Sequence, residues 1–313
     1  MKCKKILTAL LAAACTMSGC HGDLDIMQDN KLSASNMWID ESDAETATYG
    51  IYLYMRDALK SVHDIYLCWG EFRNGLWGAG TNKTLSGVDQ TQVRTSTMSS
   101  SNAYADWSVM YKTVNQANLI LKHVPEMGIS ESVRNFSLGN AYFSRAWCYF
   151  WIARIWGDAP LALTGYESTG GDLYLPRAPK AEIFARIESD LTEAERYVTD
   201  NSDKAVATPA AVQMLKADYA LWMYRVAGGG SSYLTMAEKA IEALNLSASR
   251  LESDYAQVFS SANKLNKEVI FAVHQANGEA VNGPGYYLGW NSNYVEAAYQ
   301  NNPVPITGGN QWW

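Results

Sequence analysis

The chain has 313 residues, of which 48% are hydrophobic, and its 32 acidic against 25 basic residues give a formal net charge of −7. Because a negative protein repels the phosphate backbone, the composition argues against a nucleic-acid partner. The chain also holds 19 Tyr and 11 Trp against 7 Phe. These amphipathic aromatics suit semi-exposed surfaces and ligand platforms as well as helix packing.

The chain begins with a targeting segment. A positive stretch, MKCKK, precedes the apolar run ILTALLAAA, and TMSGC ends at Cys20. This segment resembles a bacterial lipoprotein signal, which is cut before the cysteine that carries the lipid, although Met17 is unusual there and Cys15 is a weaker alternative site. We expect residues 1–19 to be removed and residues 20–41 to form a lipidated tether, so that a lipid and no spanning helix anchors the protein. Loss of the three lysines in the leader leaves 22 basic against 32 acidic residues, a net charge of −10.

Two stretches of helical period and one long loop occupy the first part of the body, which we place at 42–313. Ser42 and Glu45 form a capping-box pattern, which predicts a first helix over 43–62. Gly, Ser, Thr and Asn then dominate 66–102. An irregular run of this length in a compact domain is more often functional than decorative. Helical period returns over 104–121, with one stripe at Tyr104, Trp107, Tyr111, Val114, Asn118 and Leu121.

Residues 138–161 predict a central helix. One stripe alternates small and large side chains at intervals of three and four: Gly139, Tyr142, Ala146, Tyr149, Ala153 and Trp156. Further apolar residues cover the other faces, and a helix that is apolar all round is buried. The helix is too aromatic and too interrupted by arginine to span a membrane. It ends at Gly157 with Pro160 beyond, and the short link before it predicts that it lies antiparallel to the preceding helix.

The chain continues as helix, short turn and helix. A loop over 164–179 precedes a third long helix with apolar positions from Ile183 to Val198. Thr208 and Pro209 are typical of an N-cap and first turn, so a fourth long helix begins there and stops at the glycines of 228–230.

Thr235 and Glu238 form a second capping-box pattern, which predicts a shorter helix, and residues 269–273, VIFAV, are a short β-like run. No strict repeat consensus is present, so the stack is inferred from the pairing of helices. The sequence predicts a mainly α fold: a tetratricopeptide-like scaffold of helical pairs with long irregular loops.

Several runs together resemble the SusD/RagB family of surface lipoproteins of the Bacteroidota. Besides the lipoprotein signal and Arg177, they are WSVMYKTVNQANLIL (107–121), GNAYFSRAWCYFWIARIWGDAPL (139–161), IFARIESDLTEAE (183–195) and NKEVIF (266–271). The second run is the most specific of them. Members of the family are usually considerably longer, so we expect that the C-terminal part is missing from this sequence.

The resemblance implies four tetratricopeptide-like helix pairs with the ligand site in irregular loops. It implies a glycan-binding partner of a TonB-dependent, SusC-like outer-membrane transporter, which captures oligosaccharide as a lid and hands it over; some relatives take peptides instead. Asp23 and Asp25 weakly resemble the acidic signal that sends such lipoproteins to the cell surface. It implies no catalysis, and we expect no cofactor and no metal.

Two loop regions carry the residue types that a glycan site needs. A sugar ring has an apolar face and a polar rim, so flat aromatics must lie beside amides or charges. The first region offers Trp69, Arg73, Asn74, Trp77 and Asn82; the second offers Tyr286, Tyr287, Trp290, Asn291, Asn293 and Tyr294. The alternative is that these aromatics hold long loops against the helical body.

The motifs of common enzymes are not found. The four histidines are far apart and without metal-binding spacing, and no GxSxG, Walker or GxGxxG run occurs. Carboxylate pairs two residues apart, such as Glu188 with Asp190, do not face each other on a helix, so a solvated helix face is the simpler interpretation. Arg145 and Arg154 lie nine residues apart and on opposite helix faces, so both are interpreted as structural and not as one anion clamp.

The leading hypothesis is a surface lipoprotein that binds oligosaccharide for uptake through the outer membrane. One alternative is a peptide-binding or protein-contact lid of the same type of transporter. Another is a helical-barrel glycoside hydrolase, which also uses many aromatics and two separated carboxylates.

Overall fold

Helices form almost all the regular structure in the part of the chain that the computed structural model describes, residues 37–70, 73, 88–168, 170, 173–247 and 250–275. The α-helices are α1 (Glu41–Gly70), α2 (Val88–Thr95), α3 (Ser108–His123), α4 (Glu131–Trp156), α5 (Lys180–Tyr197), α6 (Pro209–Arg225), α7 (Ser231–Ala243) and α8 (Tyr255–Val258). Short 3-10 turns lie at Ala103–Ala105, Val124–Glu126 and Ser261–Asn263. Two-residue strands, β1 (Ala159–Pro160) and β2 (Arg177–Ala178), pair antiparallel. The mainly α fold class is confirmed.

The first helical pair is α1 with α3. Gln116, in the second half of α3, donates to the carbonyl of Ala47 near the start of α1. Trp69, at the end of α1, donates from its indole nitrogen to the carbonyl of Tyr104, just before α3 begins. Contacts that pair the start of one helix with the end of the other make the two helices antiparallel.

The next helices alternate in direction in the same way. Tyr111 contacts Tyr149 while Asn118 bonds Arg145, so α3 and α4 are antiparallel and adjacent, as predicted. Helix α5 packs on α4, α6 on α5, and α7 on α6. In the described residues the pairs α1/α3, α4/α5 and α6/α7 form the tetratricopeptide-like scaffold that the sequence predicted.

Helix α4 is the centre of this scaffold, because α1, α3 and α5 all pack against it. Its residues Phe143, Ala146, Tyr149, Phe150 and Ile152 are buried in the main core. The helix ends where predicted: the N–H of Gly157 bonds the carbonyl of Ala153, and Gly157 has φ +72°, a conformation that favours glycine.

Gly139 allows a close approach of α4 to the end of α5. A Cβ atom at this position would lie 2.7 Å from Cγ2 of Val198 and 3.1 Å from the Val198 backbone nitrogen. The stripe of small residues on α4 therefore marks a packing seam, as the alternation of side-chain sizes indicated.

The start of the body differs from the prediction. Helix α1 extends from Glu41 to Gly70 and not only over 43–62, and its capping box uses Asp40 and Asp43 instead of Ser42 and Glu45. The N–H of Asp43 donates to Oδ1 of Asp40 at 3.1 Å, and the N–H of Asp40 donates to Oδ2 of Asp43 at 3.3 Å. A short carboxylate can cap as well as Ser can, so the pair two residues earlier in the chain takes the capping role.

The predicted loop over 66–102 is also partly wrong, since it contains the end of α1 and all of α2. Asn102 fixes the end of this region: its side chain donates to the carbonyl of Asp89 at 3.0 Å and accepts from the N–H of Tyr104 at 2.9 Å.

Two later predictions are wrong. Helix α7 begins at Ser231, with Gly230 as N-cap, so Thr235 and Glu238 lie inside the helix and do not cap it. Residues 269–273 form no strand, because no neighbouring strand is available to pair with them among the described residues. Instead the N–H of Ala272 bonds the carbonyl of Lys204, and Phe271 packs on Phe143.

Cys68 and Cys148 are buried, and neither forms a disulfide with another described residue. Burial raises the pKa of the Cys148 thiol, which therefore acts as a small apolar group. Within the described residues, no helix is both long enough and apolar enough to cross a bilayer.

Candidate functional site

Two residues of the first predicted binding region lie in the described structure. Trp69 lies in the last turn of α1, partly buried, with its ring 5.9 Å from that of Trp151 and 5.2 Å from that of Trp156. Arg73 is exposed, and its guanidinium donates to Oγ of Ser96 at 3.1 Å. Because the Trp69 N–H is bonded to the backbone of Tyr104, this indole connects α1 to α4 and to the turn before α3.

The other predicted site residues lie outside the described residues. They are Asn74, Trp77 and Asn82 of the first region, Tyr286, Tyr287, Trp290, Asn291, Asn293 and Tyr294 of the second, and the predicted lipidation site Cys20.

A cleft of about 320 Å³ lies between α3 and the connection from β1 to β2. Aromatic rings and aliphatic side chains form most of its lining: Trp107, Tyr111, Val114, Pro160, Ala162, Tyr166, Leu173 and Leu175, with Ser108, Asn115 and Asn118. The guanidinium of Arg177 lies 4.8 Å from the centre of the Trp107 ring, at a distance typical of a cation–π contact.

The polar groups of this cleft hold the connection against α3. Asn115 donates to the carbonyl of Tyr166 at 3.0 Å and accepts from its N–H at 2.7 Å. Asn118 donates to the carbonyl of Ala162 at 2.9 Å, and the Tyr111 hydroxyl donates to the carbonyl of Pro160 at 2.5 Å. Burial raises the pKa of Tyr111, so this hydroxyl remains a donor at all ordinary pH values.

Gly165 is required for this close approach. A Cβ atom at Gly165 would lie 2.8 Å from the backbone nitrogen of Leu119 on α3. The side-chain amides of Asn115 and Asn118 and the hydroxyl of Tyr111 already bond backbone groups. The cleft therefore offers a ligand flat apolar surface more than hydrogen-bonding groups for its hydroxyls.

The sequence placed Trp107, Tyr111 and Asn118 on one stripe of α3 but did not identify the cleft. With Val114 between them, these residues follow at spacings of four, three and four, which indicates a shared helix face. The opposite wall comes from an irregular connection about 50 residues later, and no periodicity predicts where such a segment lies.

The carboxylates on α5 are engaged in the fold. Oε1 of Glu188 accepts from the hydroxyls of Tyr219 and Tyr233, both at 2.7 Å. Burial, followed by the bond to Glu188, raises the pKa of Tyr219, and the bond to Glu188 is the main cause that raises the pKa of Tyr233. The prediction of a solvated face is wrong for Asp190, whose side chain is 0% exposed and paired with Arg145.

Arg145 is structural, as predicted. Its Nε and Nη2 donate to the two oxygens of Asp190 at 2.8 and 2.7 Å, and its Nη1 donates to Oδ1 of Asn118 at 2.7 Å. One guanidinium therefore joins α4 to both α3 and α5. Over the described ranges, no three His, Cys, Asp or Glu side chains are grouped so that they could hold a metal ion.

The sequence is similar to a known protein family. The SusD-like family model, described as "Starch-binding associating with outer membrane", matches residues 79–222, which include α2 to most of α6. SusD-like protein P38 of Formosa agariphila is 26% identical over 190 residues, which are 61% of this chain and 36% of that protein.

Solved structures share the fold. The structure of NanU from B. fragilis is 26% identical, with a TM-score of 0.70 over 90% of this chain and 60% of that one. Surface glycan-binding protein A of Bacteroides thetaiotaomicron, solved in complex with laminarihexaose, is 17% identical, with a TM-score of 0.65 over 80% of this chain and 52% of that one. The chain thus matches about a third of the length of its curated relative and little more than half of these structures.

Proposed function

The chain belongs to the SusD-like family, and on this premise we propose that it is a cell-surface lipoprotein that binds oligosaccharides and delivers them to a TonB-dependent outer-membrane transporter. The observation that carries the proposal is the match of the family model to residues 79–222, because these residues build the central scaffold around α4. A scaffold of this kind holds variable loops in place, and loops carry the binding residues.

The residue chemistry supports a carbohydrate ligand. The predicted loop residues Trp77, Trp290 and Asn293 provide flat rings and amides, which match the apolar face and the hydroxyl rim of a sugar. The proposed anchor is a lipid on Cys20, which would hold the protein on the outer membrane with the tether of residues 20–41 between lipid and body.

The chemistry also supports a binding protein in preference to the alternative of a glycoside hydrolase. A hydrolase needs two carboxyl groups free to act as acid and as base or nucleophile. The carboxylates of Glu188 and Asp190 are instead bonded to tyrosines and to Arg145. We therefore propose that the protein binds glycans without cleaving them.

Isothermal titration of the full-length protein, purified in detergent, tests the ligand class. The panel contains laminarihexaose, xyloglucan oligosaccharides, maltooligosaccharides and a set of mixed peptides. We expect binding of at least one glycan without release of reducing ends. Binding of peptides alone would contradict the glycan proposal, and release of reducing ends would favour the hydrolase.

A separate experiment tests the partner. The protein, tagged at its C-terminus, is isolated from membranes of its native host after mild solubilisation. A TonB-dependent transporter should co-purify in about equal amount, and it should be lost when Cys20 is replaced by Ala, since the unlipidated protein leaves the membrane. Recovery of the lipidated protein without any transporter would contradict the delivery proposal.

A further inference from the structure

One face of α4 carries indoles that the fold leaves partly exposed. Trp147, Trp151 and Arg154 follow at spacings of four and three residues, so they share a helix face. Trp222 of α6 adds a third indole, and Asp218, one turn before it, adds a carboxylate. We call these five residues the indole platform.

The contacts within the platform place its members side by side. The rings of Trp147 and Trp151 have centroids 5.7 Å apart. The guanidinium carbon of Arg154 lies 5.0 Å from the centre of the Trp151 ring and 5.7 Å from that of Trp222. Arg154 therefore lies between indoles of two different helices.

The packing of the scaffold accounts for only part of this surface, since the three indoles rest against the core on one side and Trp151 also contacts Trp69. Helix α4 is apolar on nearly every side, and such a helix was predicted to be buried throughout. Its neighbours do bury Tyr149 and Phe150, but Trp147 and Trp151 remain partly exposed. Among the described residues, the indole N–H groups of these two tryptophans meet no acceptor, and they are not enclosed. They are free to bond water or a ligand hydroxyl.

The charged groups of the platform also keep hydrogen-bonding capacity. Nη1 of Arg154 is 3.4 Å from Oδ2 of Asp218, a long contact for a charged pair, and the Asp218 side chain is 53% exposed. Burial lowers the pKa of Arg154, and the nearby Asp218 carboxylate opposes this shift. The exposed Asp218 carboxylate keeps acceptor positions for a ligand, whereas the Arg154 side chain is 22% exposed and stacks on the Phe150 ring at 3.9 Å, so only the exposed edge of the guanidinium can donate.

We propose that the indole platform is a carbohydrate-binding surface on the helical scaffold, separate from the predicted loop residues, which stacks on a sugar ring of a neutral oligosaccharide. This inference rests on the proposed function. Flat indoles match the apolar face of the sugar, while Arg154 and Asp218 supply a donor and an acceptor for its hydroxyls. Because the two charges balance, the site favours a neutral ring over an anionic one.

Substitutions in the full-length protein test the platform, with laminarihexaose and xyloglucan oligosaccharides as probes in isothermal titration. Trp151→Ala removes the central ring, and Asp218→Ala removes an exposed acceptor with little risk to folding. Tyr255→Ala is the matched control, since that aromatic side chain is 78% exposed on α8 and outside the platform. Far-UV circular dichroism and thermal unfolding confirm that each variant is folded.

We expect Trp151→Ala to weaken glycan binding about three- to tenfold, in line with the energy of one aromatic stacking contact. Asp218→Ala should weaken it about threefold, and Tyr255→Ala should leave it within about twofold of the unchanged protein. If a glycan binds but Trp151→Ala and Asp218→Ala match the control, the platform is refuted and the proposed function stands. If no glycan binds, both fail; peptide binding that Trp151→Ala abolishes would make the platform a protein-docking surface instead.

Discussion

The ion pair between Arg145 and Asp190 gives the sharpest stability prediction. Arg145→Met removes three donated hydrogen bonds and leaves Asp190, 0% exposed, without its main partner. Breaking a buried pair from one side costs about 3–5 kcal/mol. Arg186 lies 3.7 Å from the same carboxylate and can recover part of this loss, so we expect about 3 kcal/mol.

The loss should depend on pH. Burial already raises the pKa of Asp190, and removal of the neighbouring cation raises it further. The variant's native state then binds a proton more tightly than its unfolded state, so its stability falls as pH rises from the unfolded pKa to the folded pKa. The slope is at most about 1.4 kcal/mol per pH unit. Arg145→Met should therefore be less destabilising at pH 5 than at pH 8.

Urea unfolding followed by circular dichroism at 222 nm measures both effects. The control is Lys216→Met, which breaks the partly exposed pair of Lys216 with Glu195 and should cost within about 1 kcal/mol. The double variant Arg145→Met with Asp190→Leu should recover most of the loss, because no buried charge remains. If Arg145→Met costs no more than the control at pH 8, the reasoning about a buried charge pair is wrong.

Three further predictions concern packing, alkaline stability and the anchor. Gly139→Ala should destabilise by about 1–3 kcal/mol in urea through its clash with the end of α5, whereas Gly128→Ala, which meets open space, should change stability by less than about 1 kcal/mol; equal effects would refute the seam. Stability should fall as pH rises above about 10, because the phenols bonded to Glu188 hold their protons more tightly in the native state; Tyr233→Phe should reduce this slope in urea unfolding between pH 9 and 11, and an unchanged slope would contradict it. Cys20→Ala should abolish incorporation of labelled palmitate and release the protein from membranes, and persistent labelling would exclude Cys20 as the lipid site.

The fold could be predicted further than the site because helix periodicity is a local signal. The stripe around Gly139 and Tyr149, the stop at Gly157 and the N-cap at Thr208 all rest on neighbours within one or two turns. The prediction of the start of α1 failed because two capping patterns overlap there. The structure uses Asp40 with Asp43, whereas the sequence also offers Ser42 with Glu45.

The candidate site depends instead on segments distant in sequence. The cleft forms because Asn115 bonds the backbone of Tyr166, 51 residues later, through a connection that has no periodicity. The sequence named the right residue types for a glycan site but placed them in loops, and it interpreted α4 as wholly buried. It could not predict that Trp147 and Trp151 stay partly exposed, because that depends on which helices pack beside them.

The Tyr and Trp residues of the chain fall into two groups according to whether their O–H or N–H groups bond the protein backbone. The hydroxyls of Tyr111 and Tyr149 donate to the backbone after α4 at 2.5 and 2.7 Å, and the indole of Trp69 donates to the backbone before α3. These polar groups are already used by the fold, so a ligand would have to break a bond to reach them. Among the described residues, the indole N–H groups of Trp147 and Trp151 donate to no protein acceptor. Ligand contact on the scaffold should therefore be sensitive to the α4 indoles and insensitive to replacing Tyr111 by Phe, which would affect only the hold of the connection on α3.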